Sequence, residues 1–288
     1  MRWLLLRESR DLQALVYLVA VPAMAAWQWQ NGFEPLLYAA MLLLWIGIGV
    51  IHHHHAHRPM WFSRRVNRAT DLWVSLLQGH PGYAFGATHN ANHHRHRHGP
   101  GDWARTYRFA GGDTNHLLGY LLHPLQAACA LYPHFMAHLR RLRRGRPGVW
   151  RWALLQYALV GASWVALLAL DPWNALLYVL LPQMLALHSL LGANYLQHAH
   201  ADGRSRWNYA RNFRGAVNLF YFNIGLHTAH HEHPREHWSR MPALHQGLRE
   251  RVQPALEERS LSLYLLRVML LGLLWPHCRS RTLMAPPR

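Results

Sequence analysis

The chain alternates between long apolar runs and polar stretches that are rich in arginine. Four of the apolar runs approach the roughly 20 residues that a helix needs to cross the hydrocarbon core of a bilayer. They cover residues about 12–29, 33–51, 150–170 and 173–196. Tryptophans stand near their ends, where interfacial aromatic side chains are common. The pattern predicts an all-α integral membrane protein with four transmembrane helices.

The connectors between these runs predict how the chain is oriented in the membrane. The links at about 30–33 and 171–173 contain no arginine, whereas 52–149 and 197–288 carry nearly all of the arginines. Basic residues are enriched in cytoplasmic loops. We therefore expect two helical hairpins, with both termini and a helical cap on the cytoplasmic side of a bacterial inner membrane. We interpret residues 1–288 as a single domain of this kind.

Three weaker apolar segments, at 72–86, 117–139 and 261–275, are interrupted by Gly, Pro, His or Arg. They favour interfacial or re-entrant helices rather than further spans. The formal net charge of +17 could also suggest a nucleic-acid partner. Because the arginines flank the apolar runs, contact with lipid headgroups accounts for them, and we expect no nucleic-acid partner.

Sixteen of the 25 histidines lie in four clusters. These are HHHHAH at 52–57, HNANHHRHRH at 89–98, NYLQHAH at 194–200 and HTAHHEH at 227–233. Residues three and four apart share one face of a helix, so each cluster can aim two or three imidazoles at one point. Imidazole nitrogens bind iron, zinc, copper and nickel. The clusters predict a metal site near the membrane surface, whereas His188, alone within the fourth run, favours a structural role.

The order and spacing of these clusters resemble the membrane fatty acid desaturase and hydroxylase superfamily, which includes acyl desaturases and membrane alkane monooxygenases. The resemblance covers residues from about 40 to 245. The first histidine box of that superfamily, HxxxH, is matched by His53 and His57 followed by Arg58, and its longer form by His52 and His57. The other boxes are matched, in order, by His89, His93 and His94 (HxxxHH), by Asn194 and His198 (NxxxH), and by His227, His230 and His231 (HxxHH).

This resemblance implies nine histidine ligands around two iron ions, with Asn194 placed to hold a water in the active site. The implied ligands are His53, His57, His89, His93, His94, His198, His227, His230 and His231. His52 is an alternative to His53, and the HxxxHH form of the second box favours His53. The resemblance also implies an O₂-dependent reaction with electrons from a ferredoxin, rubredoxin or cytochrome. The chain has no CxxC motif, so we expect this donor to be a separate protein.

The expected reaction is oxidation of an unactivated C–H bond in a fatty acyl or lipid chain. Reduced iron can generate the necessary oxidant from O₂, whereas zinc is redox-inert. Desaturation is the first expectation. Hydroxylation of an acyl chain or alkane is an alternative, because the HxxxHH and NYxxH elements are similar to those of alkane monooxygenases. Oxidation of an isoprenoid such as a carotenoid is another.

A non-enzymatic alternative is a metal transporter or a metal buffer. Transporters place ionisable ligands near the bilayer midplane, within broken helices. The four predicted spans contain almost no such groups apart from His188, which disfavours this alternative.

Charged residues near the clusters suggest two further roles. Carboxylates could orient the ligand rings or simply pair with arginines; the candidates are Asp102, Asp113, Asp202, Glu232 and Glu236. Four arginines between the third and fourth clusters could dock an acidic electron donor or bind lipid headgroups. They are Arg204, Arg206, Arg211 and Arg214.

Overall fold

The computed structural model describes residues 5–106 and 115–284. Its regular structure is almost entirely helical, and we number the helices in chain order. They are α1 (Leu12–Asn31), α2 (Pro35–His57), α3 (Arg64–Gln78), α4 (83–96), α5 (Leu117–Gly145), α6 (Pro147–Leu170), α7 (Pro172–His198), α8 (Ala216–Phe220), α9 (His227–Glu232), α10 (Met241–Leu248) and α11 (Leu261–Leu274). Three helices include π-helical stretches, at Gly86–His93 in α4, Leu176–Leu180 in α7 and Leu265–Leu271 in α11.

The remaining regular structure is short. Within residues 5–106 and 115–284, five 3₁₀ turns lie at Ser9–Asp11, Trp238–Arg240, Arg249–Arg251, Pro254–Leu256 and Pro276–Cys278. Two strands of two residues each, β1 (Asn212–Phe213) and β2 (Glu257–Glu258), pair in parallel.

Four helices are long and apolar enough to cross a membrane, by length and composition. They are α1 with its preceding turn (Ser9–Asn31), α2, α6 and α7. These helices confirm the four predicted spans. The helix α2 continues six residues beyond its predicted end at 51, whereas α6 ends at 170 as predicted. The first histidine cluster therefore lies within the last turns of α2, and His198 is the last residue of α7.

The boundaries of these helices follow from local sequence. Proline, whose fixed φ suits the first helical turn, begins both α2 and α7. The carboxylate of Glu34 caps α2 by accepting a hydrogen bond from the N–H of Leu37 at 2.7 Å. Asp171 accepts hydrogen bonds from the first N–H groups of α7. Each cap satisfies backbone donors that have no partner within the helix.

The three weaker apolar segments are helical, with different bounds from those predicted. The 72–86 segment is divided, because α3 ends at Gly79, whose φ of +63° is left-handed. The 117–139 segment is part of the longer helix α5, which continues through Pro124 and Pro133 to Gly145. The 261–275 segment forms α11. An interfacial position for these helices stays a prediction.

Residue contacts divide the chain into two compact units. The first comprises the residues up to Gly86 together with Met136–Leu190, and the second comprises Ala87–Phe135 together with the residues from Leu191 onward. In the first unit α2 packs between α1 and α3, and α3 also contacts α6. The buried indole of Trp45 on α2 donates a hydrogen bond to the carbonyl of Leu77 on α3 at 2.7 Å.

The second unit has an apolar core around Tyr195, Phe213, Tyr264 and Met269. Beside this core lies Arg211, whose side chain is 1% exposed and ion-paired with Glu258 at 3.0 Å. A buried guanidinium needs such partners because desolvation of an unpaired charge is costly. Arg211 therefore holds β2 against the segment after α7 and is not available to dock a partner, which corrects its predicted role.

Candidate metal centre

Four buried histidines of the second unit converge on one point. They are His93 on α4, His198 at the end of α7, and His227 and His231 on α9, and each offers a ring nitrogen within 4.8 Å of the others. The Nε2 atom of His198 is 3.3 Å from that of His93 and 3.1 Å from that of His227. The Nε2 atoms of His227 and His231 are also 3.1 Å apart. We call these residues the four-histidine group.

These separations fit a shared metal ion. Two imidazole nitrogens bound to one metal at about 2.0–2.1 Å are about 2.8–3.4 Å apart at octahedral or tetrahedral angles. Metal binding also requires neutral rings. Burial lowers the pKa of His227 and His231 well below the usual histidine value. Both rings are therefore neutral at pH 7, with lone pairs available for a cation.

Hydrogen bonds behind two of these rings fix which nitrogen faces the group. The Nδ1–H of His93 donates to a carboxylate oxygen of Asp102 at 2.6 Å. The Nδ1–H of His198 donates to the backbone carbonyl of Tyr209 at 2.8 Å. With its proton on Nδ1, each ring presents the lone pair of Nε2 to the common point, as metal-binding histidines do.

Asp102 is itself held rigidly. Its side chain is fully buried and accepts hydrogen bonds from the N–H groups of His98 at 2.9 Å and Ala104 at 2.8 Å. Burial would raise the pKa of Asp102, but the attraction of His93 and these hydrogen bonds lower it to about 2. Asp102 is therefore a carboxylate at every physiological pH, and of the predicted carboxylates that the structure describes it is the one that bonds a ring of the group.

A second set of ring nitrogens lies beside the first. The Nε2 atom of His94 is 3.0 Å from that of His89 and 3.1 Å from that of His230. Its three members, His89, His94 and His230, form what we call the three-histidine group, with ligand atoms within 4.8 Å of one another. Its nitrogen separations again match those of ligands on a shared metal ion.

Two of the histidine boxes, the second and the last, are divided between these two groups. The second box gives His93 to the four-histidine group and His89 and His94 to the three-histidine group. The last box is divided in the same way between His227 with His231 and His230. The pairing of His89 with His94, five residues apart, follows from the π-helix at Gly86–His93, because a π-helix has a wider turn than an α-helix.

The first box lies in the first unit, on the last turns of α2. His53 and His57 are one turn apart, with ring centroids 5.0 Å from each other. His52 is directed elsewhere: its Nδ1 is hydrogen-bonded to the amide oxygen of Gln78, and its ring packs on Phe85. This contact favours His53 over His52 as the predicted ligand.

Asn194 lies one turn before His198 on α7. Its side-chain amide donates a hydrogen bond to the carbonyl of Ala104 at 3.2 Å. Ala104 also donates to Asp102, so the same short loop holds both predicted residues. His188, on the same helix, belongs to neither group.

The other predicted carboxylates have different partners. Glu232 accepts hydrogen bonds from Arg97, Arg206 and Tyr209, at 2.6–3.0 Å. Asp202 accepts one from the N–H of Arg204, and Glu236 is paired with Arg240. Asp113 lies outside the described residues.

Two residues outside the predicted ligand set contact His198. Tyr209 accepts the hydrogen bond from its ring through a backbone carbonyl, for which no side-chain signal exists. The ring of His98 stacks on that of His198 with centroids 4.9 Å apart. His98 was visible as the last histidine of its cluster, but its spacing matched no box.

Helices long and apolar enough to span a membrane, together with two groups of converging imidazoles that could hold metal ions, define the class of protein to which the chain belongs. The family model described as fatty acid desaturase matches residues 13–263. A search of curated proteins finds no significant match. The match covers most of the chain, which therefore belongs to the fatty acid desaturase family, a family of oxidoreductases. The predicted resemblance is confirmed.

Proposed function

We propose that the protein is a di-iron oxidase that uses O₂ to desaturate a fatty acyl chain. The observation that carries this proposal is the convergence of buried imidazole nitrogens in two neighbouring groups, at separations of 3.0–3.3 Å. Two groups suit two metal ions. Membership of the fatty acid desaturase family supports the lipid substrate.

The proposed iron ligands are the nine box histidines. They are His53, His57, His89, His93, His94, His198, His227, His230 and His231. His53 and His57 are included on the strength of the box motif and their shared face of α2. Iron is preferred over zinc because the removal of hydrogen from an unactivated C–H bond needs a redox-active metal that reacts with O₂.

The chain's own residues would prepare the site for this chemistry. Asp102 and the carbonyl of Tyr209 keep the rings of His93 and His198 in the tautomer that binds metal. Asn194 would hold a water beside the centre, in line with its place in the NxxxH element. Glu232, next to His231 in sequence, fixes the end of α9 through its hydrogen bonds to two arginines.

The substrate and the partners follow from the same reasoning. A chain with four membrane-spanning helices can admit an acyl chain from the lipid phase, and we propose that the active site faces the cytoplasm of a bacterial cell. Each turnover consumes electrons, which a separate ferredoxin, rubredoxin or cytochrome would deliver.

Lipid mass spectrometry tests this function. The protein would be expressed in a bacterial host that makes no unsaturated lipid of its own, beside the variant His230→Ala and the control His277→Ala, an exposed histidine outside both groups. We expect lipids that have lost two hydrogens, with wild type and His277→Ala but not with His230→Ala. The proposal would be contradicted if the lipids were unchanged in all three strains although the iron-loaded protein and an electron donor were both present.

A second candidate function is hydroxylation. It is favoured by the HxxxHH spacing of His89, His93 and His94 and by the NYxxH element at Asn194, both similar to alkane monooxygenases. The same experiment separates the two reactions, because hydroxylation adds one oxygen atom to the lipid instead of removing two hydrogens.

A further inference from the structure

We propose that the surface around Trp207 is the docking site of an acidic one-electron carrier protein, and that Trp207 and Tyr209 lead its electron to the four-histidine group. This inference rests on the proposed function, since only an oxidase needs such a carrier. It goes beyond the family assignment by naming the entry point and the residues that form it.

The outer side of this site is a positively charged aromatic surface. The half-buried indole of Trp207 lies between two guanidinium groups, with that of Arg206 4.2 Å and that of Arg251 4.9 Å from a ring centroid. Both arginines are exposed, and the side chain of Arg206 is 56% exposed. An aromatic ring flanked by two cations is well suited to contact an acidic protein surface.

The inner side of Trp207 contacts the helix that carries the last histidine box. The indole packs against a small apolar cluster that contains Leu226 and Ala229. Ala229 lies on α9 between His227 and His230. Trp207 therefore lies between the protein surface and an apolar cluster that includes a residue of the histidine-bearing helix α9.

Tyr209, two residues further along the chain, continues this route. Its side chain is fully buried, and its ring centroid is 5.4 Å from that of His231. Its backbone carbonyl accepts the hydrogen bond from His198. The route therefore follows the covalent backbone from Trp207 to Tyr209. From Tyr209 it continues by ring contact to His231 and by the hydrogen bond to His198, both members of the four-histidine group.

A network of charged groups keeps this route rigid and leaves it positively charged. The carboxylate of Glu232 accepts hydrogen bonds from Arg206 at 2.9 and 3.0 Å, from Arg97 at 2.6 Å and from the hydroxyl of Tyr209 at 2.8 Å. One carboxylate thus faces the two guanidiniums of Arg97 and Arg206, and Arg251 adds a third close by. Such a surface attracts an acidic partner at low ionic strength and loses this advantage as salt screens the charges.

The electron balance of the proposed step is simple. The carrier is oxidised by one electron, and one ferric ion at the histidine centre is reduced to ferrous iron, while no bond is formed or broken in the carrier. Anionic lipid is also able to bind these arginines. However, lipid binding at the surface does not explain why the buried ring of Tyr209 contacts His231.

The first experiment measures docking on metal-free protein in detergent, with an acidic [2Fe–2S] ferredoxin as the probe. The double variant Arg206→Gln/Arg251→Gln, which removes both guanidinium groups at Trp207, should weaken binding about tenfold or more at low ionic strength, with a smaller effect at high ionic strength. The control Arg259→Gln/Arg281→Gln makes the same charge change at exposed arginines further along the chain and should bind like wild type. Equal weakening of ferredoxin binding by both variants would overturn the docking site. A docking variant that no longer binds anionic vesicles but still binds ferredoxin like wild type would overturn it as well.

The second experiment follows reduction of the ferric protein in a stopped-flow spectrometer. Trp207→Leu keeps the apolar packing but removes the aromatic ring, and Trp207→Phe restores a ring. We expect Trp207→Leu to slow reduction by ferredoxin about tenfold, with reduction by dithionite and iron content unchanged, and Trp207→Phe to be close to wild type. Unchanged reduction by ferredoxin in Trp207→Leu would contradict the route, whereas a wild-type protein that binds no iron would instead contradict the proposed function.

Discussion

At the scale of the residue, Asp102 shows how a single side chain can control the metal centre. It is buried and bonds the ring of His93 at 2.6 Å, while two backbone N–H groups fix its orientation. Each of its hydrogen bonds uses the carboxylate as an acceptor. A side chain that also donates cannot satisfy all of these partners.

We therefore predict that Asp102→Asn weakens iron binding about 10- to 100-fold, the usual cost of losing a partner behind a metal-binding histidine. The asparagine amide would direct N–H groups toward donors, and the ring of His93 would lose its fixed tautomer. Iron titration of the purified protein measures the effect. Asp202→Asn is the matched control, because Asp202 accepts its hydrogen bond from a loop N–H. Equal iron affinity in both variants would show that Asp102 has no such role.

Gly82 illustrates a steric requirement beside the first histidine box. A Cβ atom at this position would collide with Nε2 of His52, whose ring is held by Gln78 and Phe85. Gly86, by contrast, has open space where a Cβ atom would lie.

We predict that Gly82→Ala lowers the free energy of unfolding by about 1–3 kcal/mol, the typical cost of overpacking. Gly86→Ala should leave stability unchanged or raise it by about 0.5–1 kcal/mol, because alanine is the better helix former. Thermal unfolding in detergent compares the two variants. A Gly82→Ala protein as stable as Gly86→Ala would mean that His52 can move at little cost.

At the scale of the element, the π-helix in α4 distributes the second box between the two groups. It directs His89 and His94 to the three-histidine group and His93 to the four-histidine group. Removal of one residue would favour an α-helical register and rotate the residues beyond it by about 100°.

We predict that deletion of Ala91, an exposed residue between His89 and His93, removes at least one of the two irons. Ala91→Ser keeps the length of the helix and should retain both. Iron content per chain, measured after matched purification, distinguishes them. Full iron content in the deletion variant would mean that the register of α4 is unimportant.

The elements also show what the sequence can predict. The four spans were predictable because the bilayer demands a minimum apolar length, but three of their four ends were placed too early. Histidines are polar, so the pattern ended the second span at 51, whereas the helix continues to His57. The box histidines were predictable from spacing. Their division into two groups was not, because it depends on a π-helix and on contacts between distant segments such as His94 with His230.

Other features depend on tertiary contacts alone. Arg211 is one arginine among several in its segment, and only its ion pair with Glu258 and its contact with Tyr264 show that it is buried. Likewise, five carboxylates near the boxes were equivalent in the sequence. In the fold, Asp102 is hydrogen-bonded to the ring of His93, whereas Glu232 is surrounded by arginines.

At the scale of the whole molecule, the orientation in the membrane stays a prediction. We expect a reporter fused to the C-terminus to be active only in the cytoplasm, because the arginine-rich stretches should face that side. The same reporter inserted after Gly32, where the short connector has open space, should be active only outside. A C-terminal reporter active only outside would invert the proposed topology.

The most direct test of the account is the metal content of the protein purified without oxygen and loaded with ferrous iron. Elemental analysis combined with Mössbauer spectroscopy should find two irons per chain in wild type and in the control His277→Ala. His231→Ala, which removes a member of the four-histidine group, and His230→Ala, which removes a member of the three-histidine group, should each lower the iron content. Variable nickel or zinc in wild type, or full iron content in both variants, would contradict the central claim that the two histidine groups hold a di-iron centre.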